Sequence, residues 1–152
     1  MRPLSLALLP ACLLATTLSA APATGRVMKV LPHFLDLKGQ HTLSPSLYER
    51  DAYQAQLRQH PEQRSALRFD VYWKAKNAEQ LKLRVELRGV PKEKQLKQLV
   101  LEEPVKFKGW FGTWSALTLR GAEYKDFGEV TSWRVTLWDG PRLLSEQKSF
   151  LW

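Results

Sequence analysis

The chain has 152 residues, 44% of them hydrophobic and 25% charged, with a net charge of +8 and a single cysteine. That length suits one domain and is short for two. One cysteine excludes an internal disulfide framework, and the positive balance points toward anionic partners.

Residues 1–20 have the three-part grammar of a cleaved secretory signal. Arg2 supplies the positive start, Leu4 to Leu14 form a modest apolar segment, and small residues follow from Ala15 to Ala21. Cleavage is placed after Ala20, because a cut after Ala21 would set Pro22, with no N–H and a fixed φ, just past the scissile bond. A membrane signal anchor is the lesser alternative, since the apolar run falls short of roughly 20 residues and Pro10 interrupts it. Leu9-Pro10-Ala11-Cys12 loosely resembles a lipoprotein box, which makes a lipid anchor the other alternative. No further segment approaches transmembrane length, so a soluble exported protein, periplasmic or secreted, is expected. Loss of Cys12 with the signal removes thiol nucleophiles and thiolate metal sites. Removing 20 of 152 residues, Arg2 among them, leaves 132 with 22 Lys+Arg against 15 Asp+Glu, a net charge of +7. An acidic glycan or a lipid headgroup surface fits that charge, and export makes nucleic acid an unexpected partner. The plainer reading is solubility.

Residues 21–26 form a short lead. Val27 to Leu37 reads as a strand, and Pro32 within it suits an edge position or a bulge. A helix is predicted over 46–59, opened by the capping-box spacing of Ser46 and Glu49 and closed by Pro61. Tyr48, Ala52 and Ala55 share one face of it and are expected to dock on a sheet. Leu67, Phe69, Val71 and Trp73 then alternate with Arg68, Asp70, Tyr72 and Lys74, and Leu81, Leu83, Val85 and Leu87 with Lys82, Arg84, Glu86 and Arg88. This period of two predicts strands, and the loop at 77–79 is expected to join them as an antiparallel hairpin whose apolar face a second sheet must cover. Leu96 to Phe107 is a strand cut by Pro104. Trp114 to Leu119 is another, ending at Arg120-Gly121. Trp133, Val135 and Leu137 alternate with Arg134, Thr136 and Trp138. Asp139-Gly140 then signals a hairpin turn, lengthened past two residues by Pro141, and Leu143 to Trp152 returns.

About seven short strands without a βαβ rhythm argue a mostly β, two-sheet antiparallel sandwich over 27–152, with the one short helix. A closed β-barrel is the alternative. With Tyr124 ahead of a long strand and its closing hairpin, about the last forty residues resemble an immunoglobulin-like or fibronectin-type module. The resemblance implies a corner-tyrosine role for Tyr124, while the Cys–Trp–Cys pattern of true immunoglobulin domains is absent.

Chemistry is sparse. His33, His41 and His60 are dispersed without metal-ligand spacing, and surface positions are expected for them. Glu102-Glu103 and the pair Asp70 and Glu86 do not meet the demands of two-carboxylate hydrolysis, since solvated turns and mixed-charge faces keep such acids ionised. No GxSxG, phosphate loop or dinucleotide fingerprint occurs. No catalytic, metal or cofactor residue is assigned, and no cofactor is expected. Two surfaces remain as binding candidates. One is the outward face of the central hairpin, with Arg68, Lys74, Lys76, Lys82, Arg84 and Arg88 around Tyr72; its plain reading is a solvated sheet face. The other is the aromatic segment Phe107, Trp110, Phe111 and Trp114, spaced by Gly109 and Gly112; its plain reading is a cap on the core. The expected function is a non-catalytic exported binding module for an envelope component or another exported protein. A structural accessory domain of an envelope assembly is the alternative, and a hydrolase comes third.

Overall fold

The computed structural model describes residues 21–90, 96–109 and 111–152; the predicted signal segment and Trp110 lie outside them. Seven strands and two helices follow in order: β1 (Thr24–Asp36), α1 (Leu47–Gln59), β2 (Arg64–Lys76), β3 (Leu81–Val90), β4 (Lys97–Pro104), β5 (Thr113–Arg120), α2 (Gly121–Phe127), β6 (Glu129–Asp139) and β7 (Arg142–Lys148). They form two antiparallel sheets, β1-β2-β5 and β4-β3-β6-β7. The sandwich expected from the alternation is present, and the sheets do not close into a barrel. Lettered A, B, C, C′, E, F, G in chain order, the sheets are A-B-E and C′-C-F-G, the immunoglobulin-type arrangement with a C′ strand in place of D.

The predicted β2–β3 hairpin does not form. β2 pairs with β1 and β5, whereas β3 pairs with β4 and β6. Residues 77–80 instead carry the chain from one sheet over to the other, helped by Asn77 at φ 54°. The physical reason lies in the apolar faces themselves. Side by side, β2 and β3 would leave them open; across the sandwich they bury one another. Phe69, Val71 and Trp73 on β2 meet Leu83, Val85 and Leu87 on β3, with Leu119, Val135 and Leu137, and all are essentially solvent-free. Burying each such side chain is worth about 1.5–3 kcal/mol. Trp73 keeps its indole N–H satisfied by Ser115 Oγ at 3.0 Å. The crossing is pinned by Asp139, whose Oδ1 accepts from Glu79 N at 3.1 Å and Gln80 N at 2.8 Å.

The β6–β7 turn has two residues, Gly140 and Pro141, because Asp139 pairs directly with Arg142; Gly140 takes a positive φ of 52° and lets the chain reverse before Pro141. Pro32 sits on an edge strand as expected, since β1 pairs only with β2 in its sheet and is bulged between Val27 and Lys29.

α1 has its predicted start, with Ser46 Oγ accepting from Glu49 N at 3.5 Å. Its docking face differs from the expected one: Tyr48 is 84% exposed, and Ala52 and Ala55 are exposed too, while Gln54 and Leu57 are buried. Gln54 explains the choice. Its amide accepts from Phe34 N at 2.8 Å and donates to Phe34 O at 3.0 Å and His41 O at 2.8 Å. It meets the edge of β1 as the peptide group of a further strand would, and so closes a bare sheet edge. Arg64 secures the other end of the helix, donating to the carbonyls of Leu57 and Arg58, pairing with Glu129 at 3.1 Å and lying 4.0 Å over the Phe34 ring. Tyr124 lies on α2, a helix too short to show a period in the sequence, and packs half-buried on the core.

Candidate functional site

The alternating directions of the strands bring the start of β1, the 77–80 crossing, the 105–112 loop and the β6–β7 turn to one end of the sandwich. Tyr72 and Trp114 are direct partners on β2 and β5. Both point outward, and their rings stack with centroids 5.1 Å apart and planes at 29°. The Tyr72 hydroxyl donates to the Phe111 carbonyl, and Gly112 lies so close to the Tyr72 ring that a Cβ would stand 2.7 Å from it. Only glycine fits there, at φ 116° and against an aromatic face.

The six predicted cations do not share a face. Arg68, Lys74 and Lys76 stand on the outside of one sheet, and Lys82, Arg84 and Arg88 on the outside of the other, because the hairpin that would unite them is absent. Two of the β3 cations are neutralised by acids on β3 and β4: Lys82 pairs with Glu102 at 3.2 Å, and Arg84 pairs with Glu86 at 3.2 Å and Glu102 at 3.6 Å. Arg88 lies 4.0 Å over the Trp152 ring. Arg68 is held by Asp70 at 2.9 Å. Lys74 and Lys76 differ. They form no ion pair among the described residues, and nor do Arg26, Lys106 and Lys108.

Those five cations surround the same end of the molecule. An open cleft of about 760 Å³ has Lys74, Lys76 and Lys106 on its rim, Glu79 as its one lining carboxylate, and Ala75, Leu81, Val105 and Phe107 as apolar lining. Arg26 shares a smaller hollow with Lys74 and Lys76. Lys106 and Lys108 share another with Trp114. The aromatic segment divides: Phe107 packs against Trp73 at 5.9 Å, Trp114 is half-exposed over Tyr72, and Phe111 is 89% exposed. Sequence reasoning named Lys74, Lys76, Phe111 and Trp114 and missed Arg26, Lys106 and Lys108. The run Lys106-Phe107-Lys108 beside Gly-Trp-Phe-Gly was the available signal.

A second polar cluster lies farther along β2, toward the opposite end. His33 Nδ1 meets Asp70 Oδ2 at 2.9 Å, Arg68 reaches the same oxygen, and Arg68 Nη2 meets His41 Nδ1 at 3.1 Å. His33 is buried rather than on the surface. A guanidinium only donates, so His41 accepts through Nδ1 and is neutral. Burial, then the neighbouring Arg68 and His33, hold His41 below its usual 6.5. Burial acts to raise Asp70, but the hydrogen bonds from His33 and Arg68 outweigh it and keep the carboxylate below its ordinary value. Arg68 fills the space between the carboxylate and His41, which makes this a closed network that ties the 37–46 loop to the sheet. Among the described residues no group of three or more His, Cys, Asp or Glu is placed to hold a metal ion.

Compared with known proteins, the chain matches no family model, no curated sequence and no solved structure.

Proposed function

We propose that this domain is a non-catalytic exported binding module whose basic end engages an anionic component of the cell envelope. The observation that carries the reading is the set of five cations without carboxylate partners, among the described residues, around an apolar-lined cleft. Arg68, Lys82 and Arg84 on β2 and β3 are held by carboxylates, whereas these five cations converge at one end with no acid bound to them among the described residues, which leaves a field open to a ligand of opposite sign. The location also agrees with the architecture. In immunoglobulin variable domains the B–C and F–G loops of this same end carry recognition, and here those positions are 77–80 and 140–141. That agreement is an analogy of fold.

The test is the triple variant K74E/K76E/K106E, measured for binding to anionic polysaccharide and anionic vesicles across a salt series. Wild-type binding is expected to weaken with salt, and the variant to lose about a hundredfold at low salt. Salt-independent binding, or equal binding by the variant, refutes the reading. A second reading, docking to another exported protein, draws on Leu37, Leu43, Leu47 and Tyr48, all exposed at the opposite end. L43D/L47D would then lose a partner that wild type retains in a pull-down from the exported fraction, and equal recovery removes that reading.

A further inference from the structure

The aromatic part of the basic end carries the argument further, resting on the binding role just proposed. The loop from Lys108 to Thr113 is closed at its base, where Thr113 Oγ1 accepts from Lys108 N at 3.2 Å and donates to Lys108 O at 3.4 Å. Gly109 and Gly112 supply the positive φ values of 106° and 116° that the bend needs. The bond from the Tyr72 hydroxyl to the Phe111 carbonyl fastens the loop to β2 from beneath. Lys108, Thr113 and the Phe111 carbonyl are therefore all anchored, and the Phe111 ring is still 89% exposed. A phenyl group held in water by a braced backbone has no stabilising role within the fold.

Its surroundings select the occupant. Lys108 and Lys106 precede the ring in the chain, and Lys74 lies on β2 two residues beyond Tyr72. A polyanionic glycan would satisfy the ammonium groups and lay at most the C–H face of one sugar against the ring, which leaves the other ring face in water. An anionic lipid layer provides both, with phosphates at the level of the lysines and an acyl boundary just below them. None of the described helices is long and apolar enough to cross a membrane, and this mode needs none.

We propose that the basic end docks on an anionic lipid surface, with Phe111 entering the boundary between headgroups and acyl chains while Lys74, Lys106 and Lys108 lie against the phosphates.

The experiment uses the full chain as recovered from the exporting cell, in sedimentation with three probes. These are phosphatidylglycerol–phosphatidylcholine vesicles, pure phosphatidylcholine vesicles, and heparin as a soluble polyanion. Wild type is expected to bind the phosphatidylglycerol vesicles in a salt-sensitive way and to leave phosphatidylcholine in solution. F111A should lower vesicle partitioning about tenfold and leave heparin binding unchanged. K106E/K108E should weaken both by more than tenfold. The exposed position of Phe111 keeps F111A folded, which an unchanged melting curve verifies. Heparin binding without vesicle binding, or an F111A variant that partitions like wild type, overturns the lipid inference and leaves the basic binding end standing. Binding to neither probe overturns both.

Discussion

Gln54 offers the sharpest test of how α1 is attached. Replacing it with alanine removes three hydrogen bonds at once, to Phe34 N, Phe34 O and His41 O. All three partners are backbone groups, and the amide that serves them is 5% exposed. Leaving a buried backbone group unpaired costs about 1–3 kcal/mol, and partial hydration of the sheet edge returns some of it. A loss of about 2–4 kcal/mol follows, a large share of the 5–15 kcal/mol typical of a domain. With an unfolding entropy of about 2.1 cal/mol/K per residue, that lowers the melting temperature by about 7–14 °C. Urea unfolding gives the free energy, and hydrogen exchange at the Phe34 amide gives the location. A loss below about 0.5 kcal/mol, or unchanged Phe34 exchange, refutes the account of Gln54 as a substitute peptide group. Gln54→Glu sharpens the test, because a carboxylate still accepts from Phe34 N but cannot donate to the two carbonyls.

Stability should fall with acid in two steps. His41 titrates lower in the folded chain than its usual 6.5, so its contribution is complete above that pH and is lost as pH falls through the folded value. Asp70 and Asp36 are lowered from 3.8, Asp36 because the Tyr53 hydroxyl and the Gln40 and Lys38 amides outweigh its burial; their contribution is lost only below about pH 4. His41→Gln, which still accepts from Arg68, should abolish the first step in urea midpoints between pH 7.5 and 5 and keep the second; a persistent first step would place the titration elsewhere. Gly112→Val drives a Cβ against the Tyr72 ring at a positive φ and should cost about 1–3 kcal/mol, with loss of near-ultraviolet dichroism from the Tyr72–Trp114 stack; an unchanged spectrum counts against the packing described. Asp139→Ala should speed exchange of the Glu79 and Gln80 amides with about 1 kcal/mol of destabilisation, and equal exchange would show that the crossing holds without it.

Strand identity was legible in the sequence because period two reports which side chains face inward. It says nothing about which strand lies alongside. Leu67 to Trp73 and Leu81 to Leu87 show the same alternation whether β2 and β3 are neighbours or opposite walls, and only the need to cover both faces separates the two. The helix limits were legible from Ser46 and Pro61. Its docking face was not, because the contact is made by a glutamine satisfied by backbone, and apolar Tyr48, Ala52 and Ala55 pointed elsewhere. The candidate site was half legible for a related reason. Lys74 and Lys76 neighbour Tyr72 in the chain, whereas Arg26 and Lys106 join them only once the strand ends converge. His33 was expected at the surface and is buried, because its partner Asp70 comes from the next strand.

The seam between the outer strands has a consequence for timing. Val27 N donates to Ser145 Oγ at 3.0 Å, a contact spanning 118 residues, and Gly25 sits against Leu137 and Leu144. The first strand of the sandwich thus leans on the seventh. Contacts of such separation close late, because the intervening chain must be ordered before they form. The core therefore cannot be completed strand by strand along the chain, and β1 settles only once β7 is in place.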